Sequence, residues 1–96
     1  MKILLSPQAS TQRLSVVKHG DALVINGKKY QFAPILEGEK LPASATDCLF
    51  MVGEVLRVNG EIELTLILPY GPYASSEVAF PKPIHVVEDG PVELPK

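Results

Sequence analysis

Few of the residues that can do chemistry stand close together in this sequence. His85, Glu88 and Asp89 are the one tight set that joins an imidazole to carboxylates, and Glu37-Gly38-Glu39 adds an acidic pair. Neither spacing fits a zinc site or a calcium loop, whose ligands recur at fixed intervals, so no metal and no cofactor are expected. His19 sits in Lys18-His19-Gly20-Asp21 and reads as a solvated turn residue. His85 lies between Ile84 and Val86 and reads as a polar-face strand residue, with no acid-base partner at a readable spacing. No Gly-x-Ser-x-Gly localises a serine nucleophile, and no Gly-x-Gly-x-x-Gly or Gly-Lys-Ser/Thr loop is present to cradle phosphate. Cys48 stands alone in Cys-Leu-Phe-Met-Val, where a small buried hydrophobe is the expectation rather than a nucleophile. The residues therefore point away from an enzyme.

Bulk properties narrow the class. Ninety-six residues make one domain, here taken as 1–96 with a loosely held tail from about residue 90. A chain of this length buries roughly two-thirds of its unfolded surface, enough for one modest core. Apolar content is 46% and charged content 21%, the balance of a folded chain. A net charge of −2 with scattered lysines and arginines argues against a nucleic-acid binder. One cysteine excludes an internal disulfide. The opening Met-Lys-Ile-Leu-Leu-Ser is too short in apolar residues to read as a signal peptide, and no run approaches the roughly 20 residues of a membrane helix.

The elements follow from punctuation. Nine prolines leave little room for helix. Two Asn-Gly dipeptides lie between alternating runs, and Asn-Gly suits a two-residue type I′ hairpin because both turn positions need φ > 0. Around Asn26-Gly27, Ile25 should pair with Lys28, Leu23 with Tyr30 and Asp21 with Phe32. A second turn at His19-Gly20 would set Val16 beside Leu23 and Leu14 beside Ile25, which gives a meander over about 13–18, 22–25 and 28–33. Around Asn59-Gly60, Arg57 should pair with Ile62, Val55 with Leu64, Gly53 with Leu66 and Met51 with Leu68. A helix through residues 48–58 competes, but Gly53 and the following Asn-Gly favour strand. Lys2–Leu5 suits a short edge strand and Ile84–Val87 a weak one. Residues 37–47 read as a loop with one helical turn, Pro42 at its first position and Ser44 and Asp47 at capping-box spacing.

The expected fold is mainly β: a small antiparallel sandwich or partly open barrel of hairpins and a meander, with at most one short helical turn. Its core sets Leu14, Val16, Leu23, Ile25, Tyr30 and Phe32 against Met51, Val55, Ile62, Leu64, Leu66 and Leu68.

Two groups of residues are candidates for an interface. Tyr70, Tyr73 and Phe80 are half of the six aromatics and fall within eleven residues, directly after the strand that ends in Leu68-Pro69. They either cap the ends of a small core or form a recognition surface, since aromatic residues are enriched at interface centres. Glu54, Glu61 and Glu63 share a face of the second hairpin and form either a solvated face or an acidic rim.

The order of motifs resembles a group of small, functionally unassigned proteins encoded in tailed bacteriophage and prophage genomes, typically among tail genes. The resemblance runs from about Leu14 to Pro95. Its carriers are Gly20, Asp21, Leu23, Ile25, Asn26 and Gly27, then Phe32, Pro34 and Gly38. Leu68, Pro69, Gly71 and Pro72 follow, with Asp89, Gly90, Pro91, Val92, Leu94 and Pro95 at the end. These are turn and strand motifs, and the group brings no catalytic residues. The resemblance implies a phage context and nothing about mechanism; joined to the lack of a catalytic signature, it leads to the expectation of a structural or tail-assembly-associated protein in the bacterial host cytoplasm during assembly, or in the virion. Its partners would be phage structural proteins or further copies of itself, met through the Tyr70–Phe80 loop or an open sheet edge, with neither nucleic acid nor membrane involved. The alternative is a small ligand- or glycan-binding module with Tyr70 and Tyr73 as a stacking platform.

Overall fold

Both Asn-Gly dipeptides turn as their chemistry requires. In the computed structural model, which describes residues 1–72 and 76–95, Asn26 and Gly27 have φ of 50° and 85°, and Asn59 and Gly60 have 52° and 80°. All four sit in the left-handed region of a type I′ turn, where Asn and Gly are least strained. The first turn joins β3 (Ala22–Ile25) to β4 (Lys28–Gln31), with Ile25 opposite Lys28 and Leu23 opposite Tyr30 as expected. The meander's first strand, β2 (Val16–His19), departs from expectation. The turn uses Gly20-Asp21 rather than His19-Gly20, so Val16 pairs with Ile25 and Lys18 with Leu23. Gly20, at φ 59°, is the residue able to take that position. The slip moves pairing by two residues, so faces are kept: Val16, Leu23 and Ile25 stay buried. Residues 13–15 lie beyond the ladder because its partner strand ends at Ile25, and the following Asn26 side chain holds them instead. Its Oδ1 accepts from the Ser15 N–H at 2.7 Å and its Nδ2 donates to the Arg13 carbonyl at 2.8 Å.

The second turn joins β6 (Met51–Val58) to β7 (Glu61–Tyr70), and strand wins over helix through residues 51–58. Arg57 pairs with Ile62 as expected, but Met51 pairs with Leu66 instead of Leu68. Between the pairs Leu56–Glu63 and Val52–Thr65, β6 advances four residues while β7 advances two. Gly53, at φ 70°, makes this bulge possible. Two extra residues, an even number, leave Met51 and Val55 both facing the core.

The amino-terminal strand is the largest topological surprise. β1 (Lys2–Ala9) is eight residues long and interior rather than a short edge. It runs parallel to β7, from Lys2 opposite Glu63 to Ala9 opposite Tyr70. Ile3 becomes wholly buried, and Leu5 packs against the core. The remaining elements are β5 (Lys40–Pro42), α1 (Ala43–Thr46), α2 (Ser76–Ala79), β8 (Ile84–His85) and β9 (Gly90–Pro91), so a second helical turn joins the expected one. Pro42 occupies the N-cap of α1 without a side-chain cap, and Asp47 closes the helix at φ 57°, so Ser44 and Asp47 form no capping box. One sheet has the order β5-β6-β7-β1-β8 and the other β4-β3-β2-β9.

The core lies between the sheets. Val16, Leu23, Ile25 and Phe32 meet Ile3, Met51, Val55, Ile62, Leu64 and Leu66, with Tyr30 and Leu14 half-buried at its margin. Met1, Ile35 and Cys48 complete it. Each fully buried aliphatic side chain here contributes about 1.5–3 kcal/mol. The segment from residue 90 is tied down instead of loose. Gly90 and Pro91 pair with β2, the Val92 N–H donates to the Val16 carbonyl at 2.8 Å, and Val92 and Leu94 pack against the core. No described helix is long and apolar enough to cross a membrane.

Candidate interaction surface

Tyr70 ends β7 two residues beyond Leu68, on the side of the strand that buries Ile62, Leu64, Leu66 and Leu68. Alternation therefore turns its ring toward the core side, where it is half-buried. Tyr70 is thus half-buried on the core side of β7 without packing against the central cluster. Tyr73 lies outside the described residues. Phe80 is different: two residues after the buried Val78, its ring is 82% exposed. Val87, beyond β8, is 84% exposed. Both are among six large hydrophobics exposed among the described residues, Leu49 at 85% included.

The three glutamates part company. Glu61 accepts from the buried amino group of Met1 at 2.9 Å, and that hydrogen bond holds its carboxyl below the usual range. Glu63 lies across the parallel ladder from Lys2, with 3.6 Å between charges. Glu54 stands exposed in the bulge. Two of the three thus serve the sheet itself.

Other charged residues act as clamps on turns, a role the sequence does not assign to them. Arg57 lies on the inward side of β6 with its side chain 14% exposed. Its guanidinium donates to the carbonyls of Ile35, Gly60 and Ala33, and to the Asp21 carboxylate at 3.0 Å. It thereby joins one sheet's hairpin to the other sheet's first turn. Glu37 accepts from the N–H groups of Asn59 at 2.9 Å and Gly60 at 2.6 Å. Lys18, drawn inward by the register of β2, reaches Asp89 at 3.3 Å, and Asp89 also accepts from the Gly20 N–H at 2.9 Å. The Gly20 hydrogen bond first, and Lys18 second, hold the Asp89 carboxyl below its usual range. Only the conjunction of Gly20-Asp21 with Asp89-Gly90, two turn dipeptides far apart in the chain, hinted at this clamp.

Lys28, Tyr30, Asp47 and Cys48 gather beside β4. Lys28 pairs with Asp47 at 3.2 Å, which raises its pKa, and lies 5.4 Å from the centre of the Tyr30 ring. Burial, then Cys48, pushes the Tyr30 phenol up. His85 pairs with Lys2 in the ladder and is exposed, as is His19. Among the described residues, no group of three or more His, Cys, Asp or Glu is placed to hold a metal ion.

Sheet edges offer little to an incoming strand. The Ser10 N–H donates to the Tyr70 carbonyl, so Tyr70 directs its peptide groups at β1 and Pro69 directs its own away, on the side where the Ile67 N–H has already made the last described bond to Phe50. By the same alternation Pro7 faces away from β7, beyond the short reach of β8 at Lys2 and Ile3. Pro91 faces away from β2, because its neighbour Val92 bonds inward. Each missing N–H thus lies on a side without a described strand partner, and β4 adds Lys28 and Lys29. Strand addition at these stretches is therefore disfavoured.

A groove of about 930 Å³ runs between residues 12–17 and 91–95, floored by Leu14, Val16, Leu68 and Val92, with Arg13 and Glu93 on its rim. No protein-family model, curated protein or solved structure matches the chain.

Proposed function

We propose that this chain is a structural or assembly-associated module of tailed phages and prophages, acting through protein–protein contacts and not by catalysis. The phage context rests on the resemblance of its turn and strand motifs. The contact mode rests on one observation: Phe80 stands 82% exposed beside an anchored, buried Val78. The charged side chains lend support, because Lys18, Asp21, Glu37, Arg57, Glu61 and Asp89 are engaged in holding turns and termini together. With Pro7, Pro69 and Pro91 each withholding a donor and lysines lining β4, the contact uses side chains and not a shared ladder.

The test is to express the tagged chain in a phage-producing bacterium and identify what co-purifies. Enrichment of virion tail proteins, lost in Phe80→Ser while the melting temperature holds, is the expected result. Enrichment no greater than that of an unrelated β domain of similar size would sink the reading. A second reading, binding of a small ligand or glycan, is favoured by the groove beside the end of β7. Its volume lies in the range of ligand pockets. A glycan array without hits removes the glycan form of it.

A further inference from the structure

The two Asn-Gly dipeptides share one turn type, yet their surroundings differ in the features that govern asparagine chemistry. We propose that Asn59-Gly60 is a site of self-assisted deamidation, while Asn26-Gly27 is protected. In this reaction the backbone nitrogen of the following residue attacks the asparagine side-chain carbonyl carbon. Glycine is the most permissive follower, because no Cβ obstructs the approach.

At Asn26 the side chain is tied at both ends, Oδ1 to the Ser15 N–H at 2.7 Å and Nδ2 to the Arg13 carbonyl at 2.8 Å. Its Cγ can swing toward the Gly27 nitrogen only if both bonds break. At Asn59 the side chain has no hydrogen-bond partner among the described residues, and the residue is exposed. The Gly60 N–H, moreover, already donates to Glu37 Oε1 at 2.6 Å. A carboxylate in hydrogen-bond contact with the proton that must leave is placed as a general base.

The step balances without an outside oxidant or reductant. The Gly60 nitrogen forms a bond to Asn59 Cγ and gives its proton to Glu37. The Cγ–Nδ2 bond then breaks, and the proton returns from Glu37 to the leaving nitrogen, which departs as ammonia. A five-membered succinimide remains. Water opens it at either carbonyl to give aspartate or isoaspartate. The product places a new carboxylate beside Glu37, and the isoaspartate form adds a backbone carbon to the turn. Both changes loosen the Glu37 clamp on residues 59 and 60.

The folded full-length chain is incubated in neutral to mildly alkaline buffer and followed by peptide mapping, with diagnostic fragments for isoaspartate. Conversion at Asn59 should outpace that at Asn26 by roughly tenfold or more, the factor implied by breaking two net hydrogen bonds. In denaturant the two sites should convert at similar rates. Glu37→Gln should slow Asn59 in the folded chain. Equal rates at the two sites in the folded chain overturn the proposal, as does selectivity that persists in denaturant. Faster conversion in Glu37→Gln overturns the role of Glu37 as base; if that variant does not fold, the wild-type comparison of folded with denatured chain decides the selectivity.

Discussion

Arg57 shows how one side chain can tie both sheets together. It lies opposite Ile62 on the inward side of its hairpin, where an apolar residue would ordinarily sit. Three carbonyls and the Asp21 carboxylate satisfy its guanidinium, so its burial is compensated. Arg57→Ala should destabilise the fold by about 2–4 kcal/mol, because a charged donor is lost and Asp21 is left without it. Urea unfolding measures this, and a change under half a kilocalorie would show the contacts to be incidental. Two carboxylates contribute to acid sensitivity. Glu61 and Asp89 have folded-state pKa values below their unfolded ones. Their contribution is therefore present above the unfolded values and is lost as pH falls through the folded ones. Stability should decline on acidification below the ordinary carboxylate range, and less steeply in Asp89→Asn, which has already lost its share. A wild-type and variant pair with parallel pH profiles would contradict this.

At the scale of the element, proline placement decides which edges are closed. Pro7, Pro69 and Pro91 each sit in a described strand with the missing donor turned from its ladder. Pro7→Thr should keep the fold, since β1 pairs with β7 through its even-numbered peptide groups, yet it supplies a donor to the open side of β1. The expected outcome is a near-unchanged melting temperature with concentration-dependent association in sedimentation. A strictly monomeric variant would mean that something other than Pro7 guards this edge. Strand identities were legible from alternation and from Asn-Gly, because both are local. The bulge at Gly53 and the turn at Gly20-Asp21 were not. Each is fixed by partners distant in sequence: β5 beside Glu54, and Asp89 on the Gly20 N–H.

At the scale of the whole molecule, the Cα radius of gyration of 12.9 Å is close to the roughly 13 Å of a compact 100-residue domain. The core joins β1, which opens the chain, to both hairpins and to Val92 and Leu94 near its end. Unfolding should therefore be a single cooperative transition, and Leu64→Ala, at the centre of the longer sheet, should cost about 2–5 kcal/mol. Circular dichroism and intrinsic tyrosine fluorescence should report one coincident midpoint; two midpoints would show that the sheets unfold separately. Sequence alone determined the mainly β class, both type I′ turns and most of the inward-facing residues, because turn conformation and strand alternation are properties of neighbours. Tertiary structure alone decided that β1 is an interior parallel strand, that the inward-facing Lys18 and Arg57 find the carboxylates and carbonyls that compensate them, and that Phe80 stays exposed. Those outcomes depend on which distant backbone and which opposite charge come to meet a residue, and alternation along one segment carries no record of either.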